Sequence, residues 1–242
     1  MNHPLLKRAV AEAIGTAMLL AAVVGSGIMG ERLAAGNVAL ALLANTIATG
    51  AILAALILAF GPISGAHFNP VVTMADAWQR GLPWKEVPAY VAAQVGGAFL
   101  GVATAHLMFG MQVYTPSIHT RAGSSQVFSE FVATFGLLAI IWGCVRYRSS
   151  AIAFAVAAYI TSAYWFTAST SFANPAVTLA RSASNTFVGI RPADAPLFVI
   201  AQFAGAIAAT ALFRWLAPSS TNLVNEVLVD HHGHTAKQRA ES

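Results

Sequence analysis

Six stretches of the chain are apolar and long enough to cross a bilayer, at about Ala9–Met29, Val38–Phe60, Val87–Phe109, Val127–Val145, Ala151–Ala168 and Pro196–Leu216. A hydrocarbon core takes about 20 such residues per helix. Short polar breaks separate the runs, and the Arg146–Ser150 break divides the fourth from the fifth. Two shorter apolar stretches follow the second and fifth spans, too short to cross and too apolar to lie in water. They read Phe68-Asn69-Pro70-Val71-Val72-Thr73-Met74-Ala75 and Ala173-Asn174-Pro175-Ala176-Val177-Thr178-Leu179-Ala180. Proline is tolerated at a first helical position, where its missing N–H would be unpaired anyway, and a preceding Asn can cap the free N–H groups. The pattern predicts two half-length helices.

The halves of the chain repeat. Ala11-Glu12-Ala13-Ile14-Gly15-Thr16 is echoed by Ser129-Glu130-Phe131-Val132-Ala133-Thr134, and Ala93-Gln94-Val95-Gly96-Gly97-Ala98 by Ala201-Gln202-Phe203-Ala204-Gly205-Ala206. Each half holds three spans and one half-helix, and an odd number of spans inserts the second half upside down. The expected fold is an all-α membrane protein with six transmembrane helices and two re-entrant half-helices. Residues 1–217 are expected to form a single membrane domain of inverted repeats at about 8–110 and 126–217. Residues 218–242, with His231-His232-Gly233-His234, read as a polar, disordered cytoplasmic tail.

Of the 242 residues, 57% are hydrophobic and 9% charged. A soluble domain carries charge on nearer a quarter of its residues, so the partner implied is the lipid bilayer. The net charge of +4 is not a nucleic-acid signal, because Lys and Arg fall at span ends. With the N-terminus inside, Lys7, Arg8, Arg80, Lys85, Arg146, Arg148, Arg214, Lys237 and Arg239 face the cytoplasm, against Arg32, Arg121, Arg181 and Arg191 outside. That asymmetry places both termini in the cytoplasm of a multi-pass cell-membrane protein. The single cysteine, Cys144, can form no intrachain disulfide. No metal-ligand cluster stands in the core, no cofactor is implied, and no hydrolase or metalloprotease motif is present.

Glu12 and Glu130 are the only acids within the spans. An intramembrane carboxylate is a functional candidate by default. Here each is expected in the first turn of its helix, buttressing the irregular backbone before a half-helix rather than relaying protons. Inversion brings the half-helix N-termini together near the midplane, each with roughly half a positive charge. Asn69 and Asn174 can then donate to a neutral solute, while the backbone before them survives at that depth only if it is packed or lines a wet path.

These motifs, Ser64-Gly65-Ala66-His67-Phe68-Asn69-Pro70-Val71-Val72-Thr73, Asn174-Pro175-Ala176 and the Glu12/Glu130 repeat, resemble the aquaporin and glycerol-facilitator (major intrinsic protein) family over the chain to about Leu216. The resemblance implies a homotetramer with one pore per subunit. Val71 replaces the usual Ala at a position that faces away from the family's pore. More consequential is Val177, where the family places an Arg after its second Asn-Pro-Ala. Motif-anchored counting gives Thr49, Ser162, Ser171 and Val177 as the filter, a ring with neither an aromatic nor an Arg. Such a ring suits glycerol-like polyols, urea or undissociated metalloid acids, along with water. His67 is read as orienting its loop. Asp76 and Arg181, each seven residues after its Asn, are expected at the two mouths. Arg181 would then lie roughly 6 Å outward of the filter. A narrow water-selective pore, a coupled secondary transporter and a structural membrane protein stay open as alternatives.

Overall fold

The computed structural model describes residues 3–217; the tail after Ala217, with its histidines, lies outside the described residues. Within it the chain forms α1 (Leu5–Leu33), α2 (Val38–Ser64), α3 (Pro70–Trp78), α4 (Val87–Met108), α5 (Ser124–Tyr147), α6 (Ile152–Phe166), α7 (Pro175–Arg181) and α8 (Ala195–Leu216). Six of these are long and apolar enough to cross a membrane, with short 3₁₀ turns extending the starts of α4, α6 and α8. The fold is all-helical among the described residues, as the apolar pattern predicts.

The expected spans fall on the observed helices, with ends displaced where polar residues continue a helix. α1 starts at Leu5 and α5 at Ser124, adding Lys7, Arg8 and Gln126 to what the hydropathy covers. The extra turns correct the placement of the carboxylates. Glu12 and Glu130 lie about two turns into their helices at 3.6 residues per turn, too deep for the helix dipole to hold them.

The repeat is visible in the packing. α1 lies against α4 and α5 against α8, and α2 against α6 joins the halves. At Gly97 a side chain would meet the Ala13 carbonyl, and at Gly205 the Phe131 carbonyl, so the two equivalent glycines admit close backbone approaches. Small residues at helix contacts serve packing in this way inside membranes. The two short helices, α3 and α7, meet each other inside the bundle.

Candidate functional site

Asn69 and Asn174 cap the short helices. The Asn69 side-chain oxygen accepts from the Val71 N–H at 3.1 Å, and that of Asn174 from Ala176 at 3.0 Å and Val177 at 3.3 Å. Pro70 and Pro175 are the first helical residues. The amide nitrogens cross over: Asn69 Nδ2 donates to the Ala173 carbonyl and Asn174 Nδ2 to the Phe68 carbonyl, each at 2.8 Å. One N–H on each amide is left over. Both asparagines line a cavity of about 640 Å³ between the α3 mouth and the α7 mouth.

The loops leading into the caps carry matching strain. Gly65, Ala66 and Phe68 have φ of 90°, 50° and 49°; their counterparts Thr170, Ser171 and Ala173 have 61°, 50° and 47°. Non-glycine residues in this region persist only when surrounding contacts over-determine them. The carboxylates supply those contacts. Glu12 accepts from Ser64 Oγ at 2.6 Å, His67 N–H at 3.0 Å, Phe68 N–H at 2.6 Å and Gln94 Nε2 at 2.8 Å. Glu130 accepts from Phe172 N–H at 2.8 Å, Ala173 N–H at 2.9 Å and Gln202 Nε2 at 2.6 Å. Buttressing is therefore the role the geometry gives both acids. Gln94 and Gln202 also donate to Thr73 and Thr178, at 2.8 Å each, tying the carboxylates to the short helices. The two glutamines are part of the sequence repeat, but a repeat alone carries no sign of which side chains they hold.

Loss of the Asn174 side chain removes a cap, at about 1 kcal/mol, and unpairs the Phe68 carbonyl. Asn174→Ala is expected to lower both solute flux and the thermal midpoint in detergent. If neither changed, Asn174 would not be at the pore centre.

Thr49, Ser171 and Val177 line the cavity, as do His67, Asp76 and Arg181. Val71 is buried in the core away from the cavity, while Val72 faces it. His67 Nδ1 lies 3.1 Å from Thr73 Oγ1, and Nε2 lies 3.6 Å from Asp76 Oδ2 at the α3 mouth. Ser162 is different. It is exposed on the outside of α6, and its hydroxyl donates to the Tyr159 carbonyl at 2.8 Å. The cavity face of α6 is Ile152, Ala153, Val156, Ile160 and Tyr164, a helical spacing from which 162 is excluded. Tyr164 stands opposite Thr49, with the two hydroxyls 3.3 Å apart. The α6 residue that faces Thr49 is thus the aromatic Tyr164 and not Ser162.

At the α7 mouth Arg181 stacks on Phe172, its guanidinium carbon 3.4 Å from the ring centroid, with Nε donating to the Val188 carbonyl. Arg121 lies on the same ring at 5.0 Å and donates to the carbonyls of Gly189 at 2.8 Å and Ser169 at 3.1 Å. Burial pushes its pKa down to about 10, with Glu130 and Tyr164 opposing, so it stays charged at neutral pH. Sequence reasoning placed Arg121 only on the outer side. It comes from the 109–123 segment that links the two halves between α4 and α5, which the repeat does not duplicate, so the repeat gave no signal.

A crossed pair of capped half-helices held by two equivalent carboxylates fits a permeation path. The family model for the major intrinsic protein matches residues 1–149 and again 142–241. The chain belongs to the major intrinsic protein family. It is a membrane channel for small uncharged solutes and not an enzyme.

Among its relatives, "Aquaglyceroporin AqpS" of Rhizobium meliloti is 54% identical over 222 residues, covering 92% of this chain and 95% of that protein. "Aquaporin NIP1-1" of Oryza sativa subsp. japonica is 35% identical over 142 residues, 58% of this chain and 49% of that one. "Nodulin-26" of Glycine max is 34% identical over 145 residues, 59% and 52%. The match thus spans about half the length of these plant relatives. In structure, the aquaglyceroporin from Plasmodium falciparum superposes with a TM-score of 0.69 at 17% identity, over 87% of this chain and 96% of that one. That likeness shows the fold.

Proposed function

We propose that this channel passes glycerol-sized polyols, urea and undissociated metalloid acids together with water, through a constriction formed by Thr49, Tyr164, Ser171 and Val177. The observation that carries the reading is Val177. It follows the second Asn-Pro-Ala, lines the cavity, and brings neither charge nor hydrogen-bond donor to it. The name of the Rhizobium meliloti relative, an aquaglyceroporin, points the same way. Tyr164 takes the place first given to Ser162, so the ring is bounded by one aromatic side whose hydroxyl meets Thr49.

Arg181, one turn beyond Val177 on the same helix face, and Asp76 at the opposite mouth are read as vestibule charges. The channel sits in the cell membrane with both termini cytoplasmic, which makes the α3 mouth the inner one, and it assembles as a homotetramer. A coupled transporter needs a carboxylate free to exchange protons. Glu12 and Glu130 are instead committed to backbone and glutamine N–H groups.

Stopped-flow swelling of proteoliposomes across water, glycerol, urea and longer polyols tests this reading. Fast water flux without glycerol flux would return it to a narrow water pore, and a protonophore-sensitive uphill phase would make it a transporter. Tyr164→Ala is expected to raise the permeability of a five-carbon polyol relative to glycerol several-fold, since a deleted ring leaves space that few neighbours can fill. An unchanged ratio would remove Tyr164 from the constriction.

A further inference from the structure

Two buried guanidiniums share the α7 mouth without an acidic partner. Arg181 is 1% exposed and Arg121 8%. Among the described residues the ion pairs are Arg8–Glu86, His67–Asp76 and Arg191–Asp194, so no carboxylate pairs with either. The acids nearby are committed elsewhere. Asp194 accepts from the Arg121 backbone N–H and from the Arg191 side chain. Both oxygens of Glu130 are occupied by Phe172, Ala173 and Gln202. His119 supplies no negative charge, and burial and the two arginines lower its pKa, which disfavours a further positive one. Like charges this deeply buried are costly unless something neutralises them.

The two arginines differ in what they have left to give. Arg121 is held by the carbonyls of Gly189 and Ser169 and does not line the cavity, so it contributes field rather than contact. Arg181 lines the cavity. Phe172 covers one face of its guanidinium and the Val188 carbonyl takes Nε, while among the described residues nothing accepts from its two terminal amino groups. Ser171 lines the same cavity, is 3% exposed, and its hydroxyl has no hydrogen-bond partner. Its left-handed backbone, with φ of 50°, is fixed by Glu130 holding the next two N–H groups. Unused donors of a buried cation and a buried hydroxyl therefore open into one space.

We propose that Arg181 and Ser171 form a binding site for a small monovalent anion of the size of chloride, nitrate or formate, with Arg121 supplying positive field behind it. The anion neutralises the arginine pair and stays at the mouth. Val177, Val72, Leu53 and Ile160, which line the same cavity, offer no side-chain donors to replace its hydration, so the arginine and the serine hold it where they are. While bound it obstructs the uncharged solute, so this site restrains the channel rather than feeding it.

Thermal unfolding of the full-length protein in detergent tests binding without any flux measurement. The probes are sodium chloride, nitrate and formate, each substituted for sodium gluconate at constant ionic strength. The midpoint is expected to rise saturably by a few degrees with the three small anions, as for any ligand that binds only the folded state, and to stay flat in Arg181→Gln. Arg181→Lys, which keeps the charge, is expected to retain part of the rise. If Arg181→Gln does not fold, Arg121→Gln should shift the response to higher anion concentration. Equal wild-type midpoints in all four salts would overturn the proposal, whichever solute the channel carries. Saturating external nitrate is further expected to slow glycerol-driven swelling of wild-type proteoliposomes at least two-fold; an unchanged rate would overturn the obstruction.

Discussion

Glu130→Ala is expected to abolish solute flux and to lower stability by about 2–6 kcal/mol. Two buried backbone N–H groups, those of Phe172 and Ala173, lose their acceptor together with Gln202 Nε2. Each orphaned buried donor costs about 1–3 kcal/mol. The loop they belong to includes three left-handed non-glycine residues, Thr170, Ser171 and Ala173, which would relax to ordinary backbone once released. Ala173 also offers the carbonyl that accepts from Asn69, so the disturbance reaches both caps. Glu130→Gln should fall between wild type and alanine, because it keeps one acceptor but turns an amino group toward a donor. Thermal midpoints in detergent and swelling rates at matched protein density check this. A stable, conducting Glu130→Ala protein would remove the carboxylate from the role given to it.

Val177→Arg is expected to cut the glycerol-to-water permeability ratio about tenfold, equivalent to 1.4 kcal/mol in relative barrier height. Val177 is 6% exposed and faces the cavity one turn inward of Arg181. A guanidinium there reduces the width beside Tyr164 and places a second charge roughly 6 Å from Arg181 along the helix. At an effective dielectric constant near 20, two such charges repel by roughly 3 kcal/mol, so the new side chain would be driven toward the open cavity. Water can hydrogen-bond its donors and still pass, whereas a polyol needs the width. Val177→Leu adds bulk without charge and separates the two effects. Equal ratios in wild type and Val177→Arg would place the constriction elsewhere and retire the wide-filter reading.

Much of the site was legible because it is repeated. Asn69 and Asn174, their prolines, and Glu12 and Glu130 occur twice in the same register, and each copy supports the reading of the other. What the sequence hid has physical causes. Hydropathy loses a helix end wherever polar residues continue it, and so Glu12 and Glu130 were put a turn too near their helix starts. Ser162 comes from motif-anchored counting into a span with few landmarks, where a shift of two residues turns the side chain to the opposite face; Tyr164 is the residue that faces Thr49. Arg121 sits in a segment with no counterpart in the first half, and its proximity to Arg181 depends on how that segment folds over α7.

The reciprocal amide bonds, Asn69 to Ala173 and Asn174 to Phe68, join residues 104 and 106 positions apart. They bear on the order in which the chain acquires its structure. Contacts within each half, α1 on α4 and α5 on α8, close shorter loops and cost less entropy to form first. The first strained loop cannot satisfy its Phe68 carbonyl through Asn174 until the second half has entered the bilayer. A ribosome delivering the chain from its N-terminus therefore makes a helical framework early, with α3 waiting unlocked beside it. The permeation path is the last part to be built, and neither half holds it alone.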